Sequence, residues 1–288
     1  MSVAVVTDST AYLPSELTEG YGIHVVPLYV ILPGRSGREG LDIGPEDVAR
    51  ALAVRGQTVS TSRPTPRDFV AAYRHALDQG ADQLVSIHLS GELSSTSDAA
   101  RLAASQVGEH IVTVVDSRSA AMGCGFAVLA AARSAAAGAT AAEVAEVARR
   151  TAAQTTTFFV VDTLEHLRRG GRIGAAAAVL GSALAVKPVL HVKDGRVVPL
   201  EKVRTAARAN NRLVQRAVEA AGEGAVSVAV HHLAARERAE RLAAELRERL
   251  PALRELHVSE LGAAIGAHVG PGAVGVVIAP FWQEADDS

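Results

Sequence analysis

Short apolar runs rich in β-branched residues alternate along this chain with segments of helical period. Val3–Val6, Val25–Ile31, Gln83–His88 and Ile111–Val115 are separated by stretches such as Arg67–Gln79 and Thr96–Gln106. Parallel strands need a crossover of a dozen or more residues between them, so this order predicts βαβ units and a mainly parallel sheet with helices on both faces. The helix starts are well signed. Thr65-Pro66-Arg67-Asp68 offers a cap and a proline at the first helical position, and Thr140-Ala-Ala-Glu143 is a capping box.

After two alanine-rich helices, at about 119–137 and 141–153, the pattern changes. The strand Thr157–Val161 is followed by a hairpin over Val189–Val203 that turns at Lys193-Asp194-Gly195. A helix at about 205–221, a strand Val226–Val230, a helix at about 235–249, and strands Glu255–Val258 and Val274–Ile278 complete the reading. A chain of 288 residues exceeds the comfortable size of one core. The expectation is an α/β protein of two α/β domains, 1–153 with a mainly parallel sheet and 154–288 with a mixed sheet, with a cleft between them. The Arg/Glu alternation of RERAERLAAELRERL reads as a solvated helix face laced by i,i+4 pairs.

Composition narrows the function. A formal charge of −2 offers no basic face for a polyanion, so no nucleic acid is expected as a partner. A single cysteine, Cys124, rules out an internal disulfide framework and a multi-thiolate metal site, and no metal is expected. MSVAVVTDST enters a strand at once, without a basic region followed by an apolar one, which sets the expectation of a cytoplasmic protein. The longest apolar stretch, Ile173–Val186, has about 14 residues against the ~20 of a membrane span, and reads as a buried helix.

The segment GAHVGPGAVGVV contains Gly270-x-Gly272-x-x-Gly275, the spacing of a dinucleotide loop. Such a loop needs a strand before it, a helix after it and an acid about 20 residues on, whereas Gly275 runs into the strand VVIAP. No GxxxxGK[ST] loop is present either. Gly270-Pro271-Gly272 is better read as a sharp backbone turn that holds His268. Small hydroxyl residues cluster at two places assigned to the carboxyl ends of strands, Ser60-Thr61-Ser62-Arg63-Pro64 and Ser90-Gly91-Glu92-Leu93-Ser94-Ser95-Thr96. Ligands bind at such ends in open α/β sheets, and the helix starting near Ser95 offers free N–H groups to an anion. A hydrolytic triad of Ser94, His268 and Asp116 is the competing arrangement, against which stands the missing G-x-S-x-G elbow.

Seven ordered stretches, TDSTAYLP, STSRPTP, SGELSSTSDAA, VVDSRSAAMGCG, LRRGGRI, KPVLHVKDGRVVPLEKVRT and IGAHVGPGAVGVV, together make the chain resemble the DegV family of bacterial fatty-acid-binding proteins over nearly its whole length. The resemblance would make the cleft between the domains a ligand tunnel, and it implies a buried acyl chain whose carboxylate is held by Thr61, Ser62, Ser94, Ser95 and His268. It implies that the chain is a non-catalytic carrier with no cofactor, its ligand a long-chain fatty acid. A separate dihydroxyacetone-kinase-like subunit would use ATP to make the acyl phosphate, feeding phospholipid synthesis, with peripheral membrane contact for lipid exchange. Two departures from the family pattern are Ser95, where glycine is usual, and Arg63 before Pro64. The tunnel candidates are Leu28, Val30, Phe126, Phe159, Ile173, Leu180 and Leu184, and the residues expected to face the kinase or the phosphate are Arg168, Arg169, Arg172, Lys202 and Arg204. Burying about 14 methylenes at ~0.8 kcal/mol each sets an upper bound of ~11 kcal/mol, so apolar walls supply the affinity and the hydroxyls set orientation. The alternative is a small-substrate enzyme of the dihydroxyacetone-kinase-like fold that uses His268.

Overall fold

The computed structural model describes residues 2–173 and 187–282. Most of the expected helix over Ile173–Val186, with Leu180 and Leu184, therefore lies outside the described residues.

The first of two compact units takes in Met1–Leu28 and Arg63–Gln154. Its four strands, β1 (Val3–Asp8), β2 (His24–Val26), β6 (Gln83–His88) and β7 (Val112–Asp116), are ordered β2-β1-β6-β7 and are all parallel. Successive strand residues point to opposite faces, and both faces are covered. Val5, Val85, Ile87 and Val115 pack on α5 (Met122–Ala136) and α6 (Ala141–Gln154). Val6, Val26, Leu84 and Val112 pack on α3 (Pro66–Asp78) and α4 (Thr96–Val107) through Phe69, Tyr73 and a row of alanines. Both capping signals are realised: Thr65 Oγ1 accepts from Asp68 N and Thr140 Oγ1 from Glu143 N. Cys124 is fully buried, and burial raises its thiol pKa, so it is an inert packing residue.

The second unit joins Tyr29–Ser62 to Thr155–Phe281. This differs from the expected division at 153, which assigned residues 29–62 to the first domain. The cause is local. Val25–Ile31 is not one strand, because Pro27 lacks an N–H for a ladder and breaks the run. The part before Pro27 stays in the parallel sheet, and the part after it becomes β3 (Tyr29–Leu32), the centre of an antiparallel sheet ordered β4-β3-β5 with β4 (Arg35–Arg38) and β5 (Ser60–Ser62). One face of this small sheet packs on α2 (Pro45–Ala53) and α10 (Ala263–Val269), in a core of Val30, Leu32, Ile43, Val48, Ala263 and Ala267.

The larger sheet of this unit is mixed, as expected, with the order β10-β9-β8-β13-β11-β12. Only β11 (Val226–His232) and β12 (Leu253–Glu260) run parallel. The pairings of β8 (Thr156–Val160), β9 (Lys187–Lys193), β10 (Arg196–Val203) and β13 (Val274–Pro280) are antiparallel. The β9–β10 hairpin turns at Asp194 and Gly195, both at positive φ, as a two-residue primed turn requires. Helices α8 (Ala206–Ala221) and α9 (Arg236–Arg249) cover one face through Leu213, Val214, Leu242 and Leu246. A last short helix, α7 (Glu165–Arg169), follows β8.

Candidate functional site

In the second unit α10 carries His268 in its last turn, just before Gly270 at φ 74° stops the helix. Its residues Ala263, Ala264, Gly266 and Ala267 are small enough for the helix to lie close on the β3–β4–β5 sheet, and Ala264 N donates to the buried Glu39 carboxylate at 2.7 Å. That placement brings the ring to β5. Thr61, opposite Val30 in the ladder, has its Oγ1 2.9 Å from His268 Nε2.

The other side of the ring is closed by backbone. A Cβ added at Gly170 would stand 2.3 Å from His268 Nδ1, and one added at Gly270 would stand 2.3 Å from His166 Cδ2. The turn after α7 and the Gly270 turn thus interlock at two glycines. Thr61, His166, Arg169, Gly170, Arg172 and His268 line a pocket of about 310 Å³. Arg169 pairs with Glu165, and Arg172 Nη1 donates to the Gly170 carbonyl.

Burial first, and the Arg172 charge second, lower the His268 pKa to about 4. The ring is neutral at pH 7, so positive charge in the pocket comes from the two arginines while the histidine contributes a hydrogen bond. If Nε2–H donates to Thr61, the threonine hydroxyl is left to donate to an anion; in the other tautomer the hydroxyl is taken up by Nε2. An imidazole whose folded pKa lies below its unfolded 6.5 costs stability as pH falls through that interval, because the unfolded chain binds the proton and the folded chain does not. Unfolding free energy should therefore decline from pH 6.5 towards pH 4, and His268→Gln should flatten that acid limb in a urea titration.

Other expected residues are placed differently. Ser60–Ser62 do not follow a strand but form one, and the alternation leaves Thr61 half-buried with Ser60 and Ser62 exposed. Ser94 and Ser95 lie in the first unit, after β6 at the start of α4 as expected. Ser94 Oγ bonds Thr96 Oγ1 at 2.8 Å, and Ser95, at the cap position, makes no side-chain cap bond. Of the residues weighed as a competing triad, His268 bonds Thr61, and Asp116 accepts from the backbone N–H groups of Gly91 and Arg118. Among the tunnel candidates Leu28, Phe126 and Ile173 are buried and Phe159 half-buried, while Val30 sits inside the α2–α10 core. Arg168, Arg169, Lys202 and Arg204 are exposed and Arg172 half-buried.

One arrangement escaped sequence reading. Asp8 Oδ2 lies 3.0 Å from His88 Nδ1, His88 Nε2 lies 2.7 Å from Ser86 Oγ, and Tyr73 OH donates to that oxygen at 2.9 Å. Asp8, Ser86, His88 and Tyr73 are all fully buried, which closes this Ser-His-Asp chain to any substrate. The carboxylate also accepts from Leu89 N and Thr10 N, tying the ends of β1 and β6 where the Ser90–Ser94 loop departs. The only sequence signal is Ser86-x-His88 on one face of a strand; its partner is 80 residues away.

Comparison with known proteins bears on these features. Residues 2–280 match the family described as uncharacterised protein, DegV family. A DegV domain-containing protein of Streptomyces coelicolor is 54% identical over 276 residues, covering 96% of this chain and 98% of the relative. Among solved structures, a fatty-acid-binding DegV family protein of Thermus thermophilus superposes with a TM-score of 0.92 at 36% identity, covering 98% of this chain and 100% of the other. DegV of Bacillus subtilis, also a fatty-acid-binding protein, gives 0.89 at 34% identity with the same coverage. With a match along almost its entire length and its α/β architecture shared with these structures, the chain belongs to the DegV family.

Proposed function

We propose that this chain is a non-catalytic carrier that binds a long-chain fatty acid, its carboxylate held at Thr61 and His268, and presents it to a separate ATP-dependent kinase subunit of the dihydroxyacetone-kinase-like type. The observation that carries the binding half is the Thr61–His268 pair, 2.9 Å apart in a pocket that also holds Arg169 and Arg172. A carboxylate leaving water needs donors around it, and a hydroxyl backed by a neutral imidazole supplies one without a buried charge. Relatives at 36% and 34% identity with the same fold are fatty-acid-binding proteins, which supports the reading. Arg168, Arg169, Arg172, Lys202 and Arg204 are the cations suited to an acyl phosphate or to the kinase, since phosphorylation raises the negative charge at the carboxyl end.

No helix among the described residues is long and apolar enough to cross a membrane. The carrier works in the cytoplasm in this reading, touching a membrane peripherally to exchange lipid.

Mass spectrometry of a solvent extract of the purified protein tests the proposal. A near-stoichiometric fatty acid is expected from the wild type, with markedly less from His268→Ala. The loaded protein, given the kinase subunit, ATP and Mg²⁺, should yield acyl phosphate, trapped as the hydroxamate. A wild type that is empty and takes up no added fatty acid rules out the carrier and favours the small-substrate enzyme. Ser94→Ala, compared in the same extraction, shows whether the first unit's hydroxyl loop contributes.

A further inference from the structure

The arginines of α9 divide into two kinds. Arg236, Arg241 and Arg249 are exposed and pair along the helix with Glu240, Glu237 and Glu245, four residues away. Arg238 is turned inward, with its side chain 21% exposed against 80% for Arg236. Its Nη1 donates to the Gly272 carbonyl at 2.8 Å and its Nη2 to Asn210 Oδ1 at 3.2 Å. Gly272, at φ 83°, is gripped from two further directions: its N–H donates to the Leu233 carbonyl at 2.8 Å, and Asp162 Oδ2 stands only 2.0 Å from where a Cβ would be. Asp162 is itself anchored by Lys187 Nζ, at 3.0 Å from Oδ1 and 3.1 Å from the backbone oxygen.

We infer that Arg238 is a positioning residue for His268, fixing the Gly270-Pro271-Gly272 turn from behind so that the end of α10 holds the imidazole between Thr61 and Gly170. The inference rests on the fatty-acid reading only for its effect on binding; the geometry of the ring is independent of the ligand. An apolar packing role accounts poorly for an arginine here, whose Nη1 also stands 4.0 Å from Asp162 Oδ1. The Nε–H of Arg238 is buried with no acceptor, a cost that an unbranched apolar side chain of similar length avoids. What such a side chain cannot supply is the fixed fork that spans Gly272 O and Asn210 Oδ1 together. In the absence of that fork the turn keeps the Leu233 bond but loses its hold on the carbonyl side, and the helix end carrying His268 gains freedom.

Arg238→Met and Arg238→Lys separate the two roles. The ¹⁵N signals of the His268 ring in the whole protein report the Thr61 bond, with Thr61→Val as the reference for its loss. In Arg238→Met the Nε2 signal should move towards that reference and the dissociation constant for oleate should rise about tenfold, the effect of one positioning hydrogen bond. The melting temperature should stay close to that of the wild type. Arg238→Lys keeps a donor for Gly272 O and should recover much of both. An unchanged ring signal in Arg238→Met overturns the inference, as does a drop in melting temperature that Lys repairs no better than Met. If the wild type binds no oleate, the carrier reading falls, and the ring signal still decides the role of Arg238.

Discussion

Gly170→Ala is expected to weaken fatty-acid binding by at least about tenfold while leaving the fold in place, through overpacking at a single ring. The new methyl would stand 2.3 Å from His268 Nδ1 and 2.9 Å from Cε1, closer than non-bonded atoms approach. Gly170 itself has φ −72° and ψ −10°, an ordinary right-handed conformation that alanine adopts freely, so the backbone has no reason to object. The ring is the part that must yield, and its Nε2 is the atom bonded to Thr61 at 2.9 Å. Gly171→Ala is the matched control. It sits at φ 73° with no atom within 4 Å of the added Cβ, so it should cost about 1–2 kcal/mol of stability by backbone strain and leave affinity alone. Titration calorimetry beside thermal melts distinguishes the two patterns. Wild-type affinity in Gly170→Ala would remove His268 from the binding site.

The second large effect is on stability. Asp8→Ala should destabilise the first unit by about 3 kcal/mol or more, since it deletes the acceptor at the centre of a buried network and strands its donors. Asp8 accepts from Thr10 Oγ1 at 2.5 Å, Thr10 N at 3.1 Å and Leu89 N at 3.1 Å, and faces His88 Nδ1 at 3.0 Å. Both carboxylate and imidazole have side chains with no exposed surface, so water cannot replace what is lost. Asp8→Asn keeps one acceptor oxygen and should fall between. Asp42→Asn is the contrast, because its pair with Arg38 is a surface i,i+4 contact at 45% exposure and should leave the denaturation midpoint where it was. A midpoint for Asp8→Ala no lower than that for Asp42→Asn would show that the network is dispensable.

Both experiments probe contacts between residues far apart in the chain, whereas much of the fold is local. The alternation of strand and helix, the capping boxes at Thr65 and Thr140 and the Asp194-Gly195 turn all depend on residues within a few positions of one another, and local physics writes them into the sequence. The motifs that carry the family resemblance are equally local. His268 as a candidate, and the glycines that turn the backbone beside it, were legible in the same way. Pro27 was visible too, but that it divides a run between two sheets depends on where the next strand finds partners.

The geometry of the site depends on distant residues. Thr61 and His268 are 207 residues apart, and they meet because a three-residue strand pairs with β3 while a helix of small residues lies against the same small sheet. Asp8 reaches His88 across adjacent parallel strands, and Arg238 turns inward from a helix whose charge pattern reads as solvated. Sequence by itself determined most of the elements, their kind and the family, but not the small sheet of β3, β4 and β5. The tertiary structure alone decided which side chains touch, because a hydrogen bond depends on the ångström-scale separation of two backbones, and that separation is set by sheet order, register and packing rather than by the neighbours of either residue.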